Sequence, residues 1–153
     1  AGKPNVGETV LYKLLYFSDF NYYELHEEHL TGASYRKLPY GPVPQMADAI
    51  MNQMIENGEI QRIKVPYYDK QQTKYFPLKT ADLKLINGAE KDVIDKVIDQ
   101  MSDWSATMIS DYSHGDKPWK ATENNEFIDY ELAFYRRAPY SVRTYQEDER
   151  DDI

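Results

Sequence analysis

Residues 7–28 hold apolar side chains on almost every side of a helix, and that feature limits what the chain can fold into. Val10, Leu11, Leu14, Leu15, Ser18, Tyr22 and Leu25 recur at helical spacing on one face, while Tyr12, Tyr16, Phe20 and Tyr23 line the other. A helix at a protein surface keeps a polar face, and one that lacks it must be covered from two sides. The spacing therefore predicts a central helix from near Gly7 to about Glu28. Its second face meets the rest of the chain, a partner, or a segment absent from this sequence.

The 153 residues suit one domain with its own core. We assign residues 1–140 to that domain and residues 141–153 to an acidic tail, expected to be disordered from Gln146 onward. There are no cysteines, which excludes disulfides, thiolate metal sites and cysteine nucleophiles and fits a reducing cytoplasm. No apolar run approaches the roughly 18 residues of a membrane span, and no secretory signal pattern is present. The net charge is −8. The stretch from Gln146 to Ile153, with five acids and Arg150, supplies half of it. Nucleic-acid binding by clustered cations is thus disfavoured, and a basic protein surface is the natural partner. The 14 tyrosines suit either the rim of a small core or an interface.

Residues 1–6 read as an arm, with Lys3-Pro4-Asn5 as turn chemistry. His26-Glu27-Glu28-His29 places two histidines at i and i+3, without the i,i+4 spacing of a zinc-protease helix, and reads as a solvated helix end. Gly32 is expected to stop the first helix. An extended segment, Ala33–Leu38, then leads into the rigid connector Pro39-Tyr40-Gly41-Pro42-Val43-Pro44, with Pro44 in the first turn of a helix over 44–57. In that helix Met46, Ala47, Ile50, Met51, Met54 and Ile55 form one stripe, expected to face the core. Residues 59–65 and 73–78 read as a hairpin around the polar segment 68–72. Helix then hairpin is a winged-helix layout, but residues 44–57 contain no Lys or Arg to read base edges.

Asn87 with Glu90 predicts a capping box opening a helix over 88–102, buried through Val93, Ile94, Val97, Ile98 and Met101. A helix over 105–114 should turn Met108, Ile109 and Tyr112 inward, and a last short helix should run from Asp129 to Arg137. The resulting expectation is an α+β, mainly helical domain, with about five helices around the N-terminal one and a small antiparallel β-hairpin.

Ser113-His114-Gly115-Asp116-Lys117-Pro118-Trp119 concentrates more special side chains than any other stretch. His114 falls at a helix C-terminus, Gly115 is suited to a left-handed stop, Pro118 blocks continuation, and Trp119 can fold back on the core. Asp116 could pair with His114. Ser113 is poorly aimed at His114, because helix neighbours point about 100° apart. No phosphate loop, nucleophile elbow or metal cluster accompanies them, so no catalytic residue, metal or cofactor is assigned.

Four blocks in order, Val10-Leu11-Tyr12-Lys13-Leu14-Leu15-Tyr16-Phe17, Leu30-Thr31-Gly32, Tyr40-Gly41-Pro42-Val43-Pro44 and Ser113-His114 through Pro118-Trp119, resemble the Panacea domain of SocA-like antitoxins. The resemblance spans residues 7–138. The opening arm resembles the middle of a longer family N-terminus, which with the initial Ala1 suggests truncation. The resemblance implies a cytoplasmic bacterial or prophage antitoxin that binds a protein toxin, often one that blocks translation. It implies no enzyme activity. Tyr40, Gly41, Pro42, His114, Asp116 and Trp119 are the candidate partner-binding residues. A winged-helix-like DNA-binding regulator and a proteolytic adaptor are the alternatives.

Overall fold

Helix α1, Glu8–His26, runs through the middle of the molecule. The computed structural model describes residues 2–145. Val10, Leu14 and Phe17 are buried on α1, and so are Tyr12, Tyr16 and Phe20 of the other face. The two-sided cover that this pattern demands comes from helices α3 (Gly88–Met101) and α4 (Ala106–His114), strand β2 (Gly41–Pro44), strand β4 (Lys70–Pro77) and a 3-10 turn at Tyr130–Tyr135. Val6, Tyr35, Val97, Met101, Ile109, Ile128 and Ala133 complete the core. The helix ends before Gly32. Glu27 adopts the left-handed conformation (φ 56°) and donates its N–H to the Tyr23 carbonyl, which closes the helix there. Thr31 instead returns to α1, donating from its backbone and its hydroxyl to Asp19 at 2.8 Å each.

The segment read as a proline connector is half of a hairpin. Strand β1 (Tyr35–Leu38) pairs antiparallel with β2, from Tyr35 opposite Pro44 to Leu38 opposite Gly41. Pro42 and Pro44 are tolerated because a two-stranded ribbon leaves each strand an edge where the missing N–H is not needed. The other edge of β1 is used too: Lys37 N–H donates to Glu126 O and Ile128 N–H to Tyr35 O. Pro44 therefore ends a strand, and helix α2 starts later, at Ala47–Glu56.

Only Ala47 of the α2 stripe is buried; Met46 and Ile50 are 59% and 52% exposed. Helix α2 packs on strand β3 (Ile60–Tyr67) and not on the core. Strands β3 and β4 form a longer hairpin than expected, paired from Ile60–Pro77 to Tyr67–Lys70 and closed by Tyr68 and Asp69.

The capping box of α3 is present, with Asn87 and Glu90 bonding each other's backbone N–H at 2.8 Å. Val93, Val97 and Met101 are buried, but Ile98 is exposed. On α4, Ile109 is buried while Met108, expected inward, is exposed. The last helix is a 3-10 turn capped by Asp129. Beyond it residues 141–145 lie against the end of α1, where Glu24 accepts from Ser141 Oγ, Val142 N–H and Tyr145 OH. The acidic stretch 146–153 lies outside the described residues. Among these residues no helix is long and apolar enough to cross a membrane.

Candidate functional site

Three blocks far apart in sequence meet at Gly41. Its φ of +116° belongs to a conformation that side chains rarely adopt, and a Cβ there would sit 2.5 Å from Ser113 Oγ and 2.6 Å from Lys13 Cε. Only glycine lets β2 approach α1 and α4 this closely. Ser113 is fully buried and donates its hydroxyl to Ser110 O at 2.7 Å. Lys13 is 2% exposed, and burial alone lowers its pKa to about 8. No carboxylate offsets that cost among the described residues, so the folded chain holds a desolvated amine beneath the hairpin.

Next to Ser113 the His114 ring stacks on Trp119, with centroids 4.4 Å apart. The Lys37 ammonium lies 3.9 Å from the Trp119 ring centroid and donates to Thr122 O at 2.9 Å. This cation–π contact ties β1 to the short helix α5, Lys117–Lys120. His114 Nε2 and Trp119 Nε1 are buried without a hydrogen-bond partner among the described residues. Trp119 packs against the core and keeps part of its surface open. Above the corner, Tyr40 occupies the β1–β2 turn and is 78% exposed.

Asp116 does not pair with His114. It is fully buried and accepts from Arg136 Nε at 2.8 Å, Arg136 Nη2 at 2.6 Å and Tyr16 OH at 2.8 Å. Arg136 reaches further to Asn21 Oδ1 at 2.8 Å and Glu24 Oε1 at 3.3 Å. Gly115 is not left-handed (φ −87°); it is required because a Cβ there would overlap the Tyr140 hydroxyl. Pro118 does not end a helix but lies in the first turn of α5. His26 and His29 rest against Tyr22 and Tyr23, and no group of three or more His, Asp or Glu among the described residues could hold a metal.

Tyr40, Gly41, Pro42, His114 and Trp119 are thus gathered around one hairpin. Tyr40 faces solvent, Gly41 and Pro42 are buried, and His114 and Trp119 are half-buried. Asp116 is turned inward, away from any partner's reach. Lys13 and Arg136 were not singled out from sequence. A signal existed for the first: Lys13, like Asp19 and Glu24, is a charge inside a helix with no solvent face. Nothing local marks Arg136, whose partners lie up to 115 residues away.

A family model described as antitoxin SocA-like, Panacea domain, matches residues 11–120. That span contains Lys13, the β1–β2 hairpin and the whole stretch from Ser113 to Trp119, and it stops short of Arg136. No curated protein and no solved structure matches the chain.

Proposed function

The chain belongs to the SocA-like antitoxin family, the Panacea domain, and we propose that it neutralises one cognate protein toxin by binding it directly. The observation that carries this reading is Tyr40: a large aromatic side chain, 78% exposed, on a turn fixed from below by Gly41, Lys13 and Ser113 and from the side by Lys37 on Trp119. A tyrosine on a fixed turn loses little backbone entropy on binding and, with only two side-chain torsions to order, makes an effective anchor. Strand β2 runs from this turn straight to α2, whose exposed Met46 and Ile50 add adaptable apolar surface. A shallow cavity of about 320 Å³ separates hairpin from helix, with the carboxylates of Glu8 and Asp48 outnumbering the one cation, Arg36, in its lining. Carboxylates and the overall charge of −8 suit a toxin with a basic surface.

In this reading the chain acts by occupying the toxin, sterically or by locking it, and performs no chemistry on it. The toxin class we assign is one that blocks translation, and the complex forms in the cytoplasm. Co-expression with the product of the adjacent reading frame tests the proposal. That product should arrest growth alone and lose its toxicity beside this chain, and Tyr40→Ala should weaken the rescue. An adjacent product that is harmless, or toxic but not rescued, refutes it.

A further inference from the structure

A second concave site lies on the far side of the Asp116–Arg136 pair, where α5 packs on the 3-10 turn. It is a cavity of about 420 Å³ lined by Gly115, Lys117, Lys120, Tyr135, Arg137, Ala138 and Tyr140. Three of these residues are cations and none is acidic, in a chain of net charge −8. None of the three makes an ion pair among the described residues, so no carboxylate of the chain already occupies them.

Their placement is built in. Lys117 follows Asp116 and Arg137 follows Arg136. Asp116 and Arg136 turn inward and clamp each other at 2.6 and 2.8 Å, while their neighbours Lys117 and Arg137 are exposed and line the cavity. Lys120 lies one turn along α5 from Lys117. The Tyr140 ring is fixed against Tyr112 (4.4 Å) and its hydroxyl covers Gly115, forming a firm floor, while Tyr135 stays 45% exposed at the rim. Cations held apart by a buried clamp, with no carboxylate to satisfy them, are preorganised for an anion. The volume falls within the roughly 300–1,000 Å³ of small-molecule sites. An exposed tyrosine rim offers a face for a planar ring.

We propose that this pocket binds a nucleoside phosphate, with Lys117, Lys120 and Arg137 on the phosphates and the base against Tyr135. The site is separate from the Tyr40 surface and stands whether or not that surface holds a toxin.

Calorimetric titration of the full chain at low ionic strength with ADP, pyrophosphate and adenosine tests it. ADP should bind, pyrophosphate more weakly, and adenosine not detectably. Lys117→Gln combined with Arg137→Gln should weaken ADP by about tenfold or more, with the circular dichroism spectrum unchanged because both side chains are exposed. Lys64→Gln, on β3, should leave ADP binding as it was. The proposal is overturned if no phosphate compound binds, if adenosine binds as well as ADP, or if the double variant binds as the parent does. A glutamate-rich peptide that outcompetes ADP would overturn it in favour of a protein ligand.

Discussion

Arg136 and Asp116 form a two-point ion pair with neither side chain exposed, Nε to Oδ1 at 2.8 Å and Nη2 to Oδ2 at 2.6 Å. It joins the start of α5 to the end of the 3-10 turn Tyr130–Tyr135, and Tyr16 donates to the same carboxylate from α1. Burial first, and then the Asp116 charge, push the Tyr16 hydroxyl well above its ordinary pKa, so it remains a donor at any physiological pH. Removing the guanidinium alone would strand Asp116 and deprive Glu24 of its cation. Arg136→Met is therefore expected to cost about 3–5 kcal/mol in urea denaturation. Arg136→Met with Asp116→Leu should be less destabilised than Arg136→Met alone, because the stranded carboxylate is gone. A double variant no more stable than the single one would show that the pair matters for shape and not for charge.

Lys13 makes the opposite kind of prediction. Its pKa falls from 10.5 to about 8 in the folded chain because burial penalises the ammonium. Between those values the unfolded chain binds a proton that the folded chain does not, so the parent gains stability as pH rises through that window. Below it the full cost applies, at most about 3 kcal/mol. Lys13→Met, similar in length and without the charge, should raise the urea midpoint at neutral pH, and the gain should shrink towards pH 10.5. Shifted tyrosines titrate in both proteins, so the difference between the two curves isolates Lys13. A gain that is constant with pH would assign the effect to packing instead.

Two glycines separate backbone strain from crowding. Gly58 has φ +71° and open space within 4 Å of the point where a methyl group would sit, whereas Gly41 has φ +116° and meets Ser113 Oγ and Lys13 Cε. Gly58→Ala should cost about 1–2 kcal/mol, the left-handed penalty alone. Gly41→Ala adds collision with two buried side chains and should cost at least about 3 kcal/mol. Thermal melts of the two variants side by side decide this. Equal losses would mean that the β1–β2 hairpin can lift away from α1 without penalty.

What could be read from sequence was whatever depended on near neighbours. The α3 capping box needs only Asn87 and Glu90, three residues apart, and it forms as read. The all-round apolar pattern of α1 correctly required cover on two sides. The pairing of Asp116 went wrong because His114 is close in sequence while Arg136, twenty residues away, has the better geometry and the deeper burial. Proline content made residues 39–44 look like a connector, since the unused edge that admits proline into β2 exists only once β1 is beside it. At the candidate site the exposed Tyr40 and the stacked His114 and Trp119 were legible as special residues. That Gly41 joins them to Lys13 was not, because periodicity says which residues share a face and not what lies against it.

The α2 stripe shows the same limit and gives the last test. Met46 and Ile50 follow core periodicity yet are 59% and 52% exposed, while Val97 on α3 is 1% exposed. If the stripe served the fold, polar substitution there would destabilise the chain as a core substitution does. Val97→Ala should cost about 2 kcal/mol through the cavity it leaves. Met46→Gln and Ile50→Gln should each stay within about 0.5 kcal/mol of the parent, as surface changes do. In the co-expression assay the same two changes should weaken toxin rescue while the protein remains folded and abundant. Stability lost along with rescue would return α2 to the core, and rescue retained in full would remove α2 from the binding surface and leave Tyr40 as its centre.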